Sequence, residues 1–197
     1  MAQPSLFDSS DIVIDEGRGR FVYTAGFIDA TLASRWFAEL RDGVAWRTQT
    51  RRMYDREVDV PRLLAHFRLE PPLEAVPPAI IDAHRRLVEH LRVPFNSVGL
   101  NLYRDGRDSV APHNDHLDEI VEGCPIALVS LGTARVMTLR QKEPPRRATP
   151  LALEPGSLFV MDYATQLHYT HGIPKTNDIV GERISLAFRV KPPQRGG

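Results

Sequence analysis

The sequence predicts a mainly β protein with flanking helices, an α+β chain built on an antiparallel sandwich or open barrel. Three observations lead there. Beyond Asn96 the chain breaks into short β-type runs separated by turn residues. Ahead of it lie two stretches with apolar residues at helical spacing. Finally, 197 residues, of which 42% are hydrophobic and 25% charged, suit one globular domain with a packed core and neither a disordered nor a fibrous chain.

Taken in order, residues 1–20 are polar and glycine-containing and are expected to form a flexible tail, with a single domain over residues 21–195. Phe27, Ala30, Leu32, Trp36, Phe37 and Leu40 fall on one helical stripe behind the turn-forming Gly26. A second helix is expected from Pro77 to Leu91, with proline at its start and Ile80, Ile81, His84, Leu87, Val88 and Leu91 along one face. The arginine-rich stretch between them, Val44 to Pro72, reads as extended segments and loops. Strands are expected at residues 97–103, 125–131, 134–140, 149–153, 157–161, 167–171 and 183–190. Their close spacing, with turns such as Glu154-Pro155-Gly156, favours antiparallel pairing over a parallel α/β sheet.

Charge and cysteine content narrow the function. Lys plus Arg equals Asp plus Glu, 25 each, so wrapping a long nucleic acid by charge alone is excluded and any such contact must be local. The single cysteine, Cys124, permits no intrachain disulfide and no thiolate-rich zinc site, in keeping with a reducing compartment. The N-terminus has neither a basic nor an apolar signal region, and no apolar run is long enough to span a bilayer. A cytoplasmic protein that does not enter a membrane is the expectation.

The chemistry concentrates in a few positions. His113 and Asp115 are two apart, so in an extended segment both project to the same side. His171 lies at the end of a later expected strand. Two imidazoles and a carboxylate without thiolate fit a facial triad that leaves positions open on Fe(II), with His168 as the competing third ligand. In residues 183–190, alternation places Ile184, Leu186, Phe188 and Val190 on an apolar face. Arg183, Ser185, Ala187 and Arg189 occupy the other, a pattern that an exposed edge strand would also give. Asn101 and Tyr103 repeat the device just upstream of His113. Together the amide, phenol, hydroxyl and guanidinium groups form a candidate carboxylate cradle.

The order Asn101-x-Tyr103, His113-x-Asp115, His171-Gly172-Ile173-Pro174 and Arg183 to Arg189 resembles the AlkB family of Fe(II)- and 2-oxoglutarate-dependent dioxygenases. Residues 125–130 and 156–161 share in the likeness, which covers roughly residues 95 to 191. The resemblance implies a double-stranded β-helix, a cupin-like jelly roll, over residues 95–191, with helices and a nucleotide-recognition lid over residues 21–94. It implies Fe(II) held by His113, Asp115 and His171, with 2-oxoglutarate as cosubstrate and O2 as oxidant. Arg183 and Tyr103 would face the distal carboxylate of 2-oxoglutarate, while Asn101 and Arg189 would face its chelating end; Ser185 lies between. It further implies oxidative demethylation of alkylated bases in DNA, or RNA, releasing formaldehyde, succinate and CO2. The action would be direct-reversal repair on single-stranded or locally opened nucleic acid.

Three departures keep other readings open. Ser185 and Ala187 stand where many members carry Asn and Thr, which admits a non-catalytic nucleic-acid-binding module on the same barrel. His116 and Leu117 follow the HxD aspartate where demethylases carry an acid, with Asp118 coming later. That substitution admits a modified tRNA base, a protein side chain or a small molecule as substrate. The lid is short, with Trp46, Arg51, Arg52, Tyr54, Arg62 and Phe67 as its candidate phosphate and base contacts. At the N-terminus, Gln3-Pro4-Ser5-Leu6-Phe7 resembles the peptide by which bacterial DNA-processing proteins dock on the sliding clamp. Nothing in the sequence demands an oligomer, so a monomer is expected.

Overall fold

The first long helix begins where its cap allows. The Asp29 carboxylate accepts the Leu32 N–H at 2.8 Å, so α1 runs Ala30–Gly43 rather than from Phe27. Phe27 keeps its apolar role outside the helix, against His90 at a ring separation of 5.3 Å. Helix α2, Pro78–Leu91, starts with proline and has no side-chain cap of its own; Glu39 of α1 reaches across to accept the Ala79 N–H at 2.9 Å. The computed structural model describes residues 12–15, 17–53 and 56–193, with the backbone alone at 12, 13, 15, 51–53 and 56–59.

The strands are β1 Ile12–Asp15, β2 Arg20–Thr24, β3 Thr50–Met53, β4 Arg56–Asp59, β5 Leu63–Arg68, β6 Ser97–Tyr103, β7 Val110–His113, β8 Ile126–Gly132, β9 Arg135–Gln141, β10 Ala148–Leu153, β11 Leu158–Met161, β12 Tyr169–Ile173 and β13 Arg183–Arg189. A seven-stranded sheet takes the order β1-β2-β11-β8-β13-β6-β5, and a four-stranded sheet the order β10-β9-β12-β7. All the pairings are antiparallel, and the two sheets build the expected double-stranded β-helix. Strands β3 and β4 form a separate hairpin. Residues 12–15, expected within a flexible tail, instead pair with β2 at the edge of the large sheet.

Period-two alternation sends the two faces of the large sheet into two cores. Val129 and Leu131 of β8 and Ile184, Leu186 and Phe188 of β13 pack on one side with Trp36 and Leu40 of α1 and Ile80 and Leu87 of α2. Ile126 and Leu128 point to the other side, into a second core with Met137, Leu139, Phe159 and Tyr169. Each such fully buried Leu, Ile or Phe stabilises the fold by roughly 1.5–3 kcal/mol. Strand β13 is paired on both edges, with β6 and with β8, so the edge-strand alternative fails, with Arg183 buried and Arg189 half-buried. No helix among the described residues is long and apolar enough to cross a membrane.

Candidate metal and cosubstrate site

His113 and His171 meet because β7 and β12 pair directly at these two residues, which puts their rings 4.5 Å apart. The approach depends on Gly172. A Cβ there would sit 2.9 Å from the Val110 carbonyl oxygen and 3.0 Å from the Pro112 nitrogen, backbone atoms that cannot swing aside. Beyond β7 the chain brings Asp115 to the same point, and one donor atom from each of His113, Asp115 and His171 lies within 4.8 Å of the others. His168, the alternative third ligand, belongs to α3, Thr165–His168, and is not one of the three.

The protonation states suit a divalent cation. His113 Nδ1 pairs with the Ala111 carbonyl at 2.9 Å; a carbonyl only accepts, so Nδ1 carries a hydrogen, and Nε2 is the nitrogen available to present a lone pair to the metal. Burial, then His113, lowers the pKa of His171 to about 4 against the opposing pull of Asp115, which leaves this imidazole neutral near pH 7. Burial by itself would raise the Asp115 carboxyl. Arg189, with both carboxylate oxygens 3.0 Å from its Nη2, joins His171 and His113 in outweighing it, and the net displacement is downward.

The cradle lies on the same strands. Register pairs Arg183 with Tyr103, Ser185 with Asn101, and Arg189 with Ser97 across β13 and β6. Arg183 is 1% exposed; its Nη2 donates to Ser130 Oγ at 2.9 Å, while Nε and Nη1 have no hydrogen-bond partner. A buried cation with two donors unused costs several kcal/mol unless a counter-charge meets it. A carboxylate offers the two matching acceptors, and the distal carboxylate of 2-oxoglutarate fits that requirement. Tyr103 is clasped between guanidinium groups, Arg183 at 5.3 Å and Arg135 at 5.7 Å from its ring centre. Buried Ser185 and half-buried Asn101 complete this stretch.

In front of the metal ligands opens a cleft of about 1450 Å³ lined by Arg47, Gln49, Arg62, His66, Phe67, Asn101, His113, Asp115, His116, Lys175 and Arg189, among others. Besides the metal ligands His113 and Asp115, five candidates from the sequence, Arg62, Phe67, Asn101, His116 and Arg189, are thus brought to one opening. Arg62 turns inward, donating to Asn101 Oδ1 at 2.7 Å and to the Ser109 carbonyl at 3.1 Å. Two candidates fall elsewhere. Trp46 packs against the helix-side core with its indole N–H on the Arg41 carbonyl, and Asp118 is exposed and does not line the cleft. The side chains of Arg51 and Arg52, Tyr54 and the Gln3–Phe7 peptide lie outside the described residues.

Sequence reasoning missed several groups. Arg135 is buried and donates to the Asp105, Asp108 and Pro174 carbonyls, fastening the loop after β12 to the loop after β6. Lys175 and His66 line the cleft without belonging to any pattern. A signal existed only for Lys175, which directly follows the His171–Pro174 motif.

Comparison with known proteins agrees with this geometry. Residues 20–189 match the 2OG-Fe(II) oxygenase superfamily. The alpha-ketoglutarate-dependent dioxygenase alkB homolog 3 of Bos taurus is 33% identical over 200 residues, covering 91% of this chain and 69% of that protein. The DNA oxidative demethylase ALKBH2 of Bos taurus is 37% identical over 102 residues, 48% of this chain and 37% of that protein. A prolyl-4-hydroxylase structure from Pseudomonas putida shares the fold with a TM-score of 0.59 at 16% identity, covering 87% of this chain and 93% of its own.

Proposed function

The chain belongs to the AlkB family of the 2OG-Fe(II) oxygenase superfamily, an Fe(II)- and 2-oxoglutarate-dependent dioxygenase, and from that premise we propose that it oxidatively demethylates alkylated nucleobases in DNA, or RNA, as direct-reversal repair. One observation carries the reading. The metal ligands open into a cleft whose walls hold cationic Arg47 and Lys175, the aromatic Phe67, and the polar Gln49, Asn101 and His116, a lining that suits a flipped base with its flanking phosphates.

When bound, Fe(II), 2-oxoglutarate and O2 supply the oxidation of the N-alkyl carbon, with loss of CO2 and formation of succinate. The side chains provide position and charge. Arg183 would meet the distal carboxylate of the cosubstrate, and Tyr103 is buried beside it with the Arg183 and Arg135 guanidinium groups 5.3 and 5.7 Å from its ring centre. Arg189 holds the Asp115 carboxylate ionised, and His113 keeps the tautomer that presents Nε2 to the metal. The hydroxymethyl group left on the base nitrogen then departs as formaldehyde, so no nucleophile or general-base pair is required.

The short β3–β4 hairpin favours single-stranded or locally opened substrates over intact duplex. The decisive assay is formaldehyde release from oligonucleotides carrying 1-methyladenine or 3-methylcytosine, with Fe(II) and 2-oxoglutarate. Stoichiometric formaldehyde and succinate are expected. Succinate without formaldehyde would overturn the substrate assignment while leaving the dioxygenase chemistry in place. A role for the Gln3–Phe7 peptide as a clamp tether belongs to the same proposal; loss of clamp co-purification on L6A/F7A supports it, and an intact protein that ignores the clamp refutes it.

A further inference from the structure

A buried amide joins the two chain segments that carry the metal ligands. Gln166, in α3, is 1% exposed, and its Oε1 accepts the backbone N–H of Asp115 at 2.9 Å. Its Nε2 donates to Thr165 Oγ1 at 3.1 Å and lies 3.9 Å from Met161 Sδ. The orientation of the amide is fixed by this network. Thr165 spends its one hydroxyl hydrogen on the Asp162 carbonyl at 2.6 Å, so toward Gln166 it only accepts, and the NH2 group must be the donor. The carbonyl end of the amide is therefore the end that faces Asp115.

The hook is anchored on every side. The Gln166 N–H donates to the Tyr163 carbonyl and the Gln166 carbonyl accepts Lys142 Nζ at 2.8 Å, while Asp162 is held through its N–H on the Arg20 carbonyl. Gly19 crosses so close that a Cβ there would meet the Thr165 nitrogen at 2.7 Å, leaving the turn no room to move away. Arg189 restrains the Asp115 side chain, and Gln166 restrains its backbone. Gln166 also sits five positions before His171 on the same continuous segment, so one side chain couples the placement of two ligands.

We propose that Gln166 is a positioning residue for the metal centre: through the Asp115 N–H it fixes where the aspartate presents its carboxylate relative to His171, and thereby sets metal affinity. Groups that orient metal ligands in this way typically change metal affinity or activity by 10–100-fold when removed. The inference is independent of which substrate the cleft takes.

The test is Mn(II) binding by the full-length, metal-free protein, followed through the EPR signal of the free ion, together with the charge-transfer band formed anaerobically with Fe(II) and 2-oxoglutarate. Gln166→Met keeps length and volume but removes the acceptor; it is expected to weaken Mn(II) binding by roughly tenfold or more and to displace the band. Thr165→Val keeps the Gln166 acceptor but frees the amide to rotate, and is expected to weaken binding in the same direction by less. A merely structural role would lower the melting temperature of Q166M and leave the Mn(II) dissociation constant of its folded fraction within about twofold of the unsubstituted protein, as no ligand would be reoriented; that result overturns the proposal. If Q166M does not fold, unchanged Mn(II) affinity in T165V overturns it equally. No nucleic acid enters either measurement, so the outcome is separate from that of the demethylation assay.

Discussion

His171 is held neutral by its surroundings, and that has a cost in acid. Its pKa of about 4 in the fold lies below the ordinary histidine value of 6.5, chiefly through burial and the neighbouring His113. Between those two values the unfolded chain binds a proton that the folded one refuses, so stability falls as pH drops from 6.5 toward 4, by on the order of 3 kcal/mol across the window. Melting of the metal-free protein should decline over that range, and His171→Asn should flatten the decline. A pH profile unchanged by H171N would remove His171 as its source. Arg183 makes a different demand, for a counter-charge. Arg183→Ala is expected to raise the KM for 2-oxoglutarate by about 100-fold, from the loss of charge-assisted hydrogen bonds worth roughly 1.5–3 kcal/mol each; Arg47→Ala, at the cleft wall, should leave that KM nearly alone. Comparable effects from the two substitutions would refute the cradle. Arg183 was legible in the sequence because alternation alone put it beside Ser185 and Arg189. Gln166 was not, because a lone amide in a helical turn has no period and its partner Asp115 is distant in sequence.

Between elements, the site depends on how closely β12 can approach β7. Gly172 sits where any side chain would strike the Val110, Ala111 and Pro112 backbone, so Gly172→Ala must separate the strands or shift their register. The expected result is a loss of roughly 1–3 kcal/mol in urea unfolding, the usual cost of overpacking, together with weakened Mn(II) binding as His113 and His171 part. Destabilisation with unaltered metal affinity would mean the two histidines are positioned independently of this pairing. The elements themselves were legible to different degrees, for physical reasons. Strands β6 and β13 alternate strictly and were placed almost to the residue. The first helix was expected too early because Phe27 extends the apolar stripe past the Asp29 cap. Residues 167–171 divide between α3 and β12, since Thr165 and Gln166 turn the chain through hydrogen bonds that no hydrophobic pattern records. Strand β5 was read only as part of an extended stretch because the alternation in LLAHFR is short and Leu64 interrupts it: one face bears the cleft, and the chain bridges to Arg47 on the far edge.

Taken as a whole, the molecule carries no net charge, yet the cleft gathers Arg47, Arg62, Lys175 and Arg189 around the metal ligands. These four are not equivalent. Arg189 is committed to Asp115 and Arg62 to Asn101 and the Ser109 carbonyl, which leaves Arg47 and Lys175, both exposed at the rim, as the cations best placed to meet phosphates. Neutral folds with few phosphate contacts bind undamaged strands weakly, and each contact with single-stranded nucleic acid contributes about 0.7 to the slope of log K against log salt. With two rim cations, fluorescence anisotropy of an unmodified oligonucleotide across a salt series should give a slope near −1.4, and Arg47→Ala or Lys175→Ala should each bring it about 0.7 closer to zero. Because Asp115, His113 and Arg183 are held by Arg189, the Ala111 carbonyl and Ser130 instead, turnover at saturating oligonucleotide and low salt should be preserved in both variants. A slope that stays the same in the double variant would place the phosphate-binding surface outside the cleft, and would separate strand capture from the opening that leads to the metal.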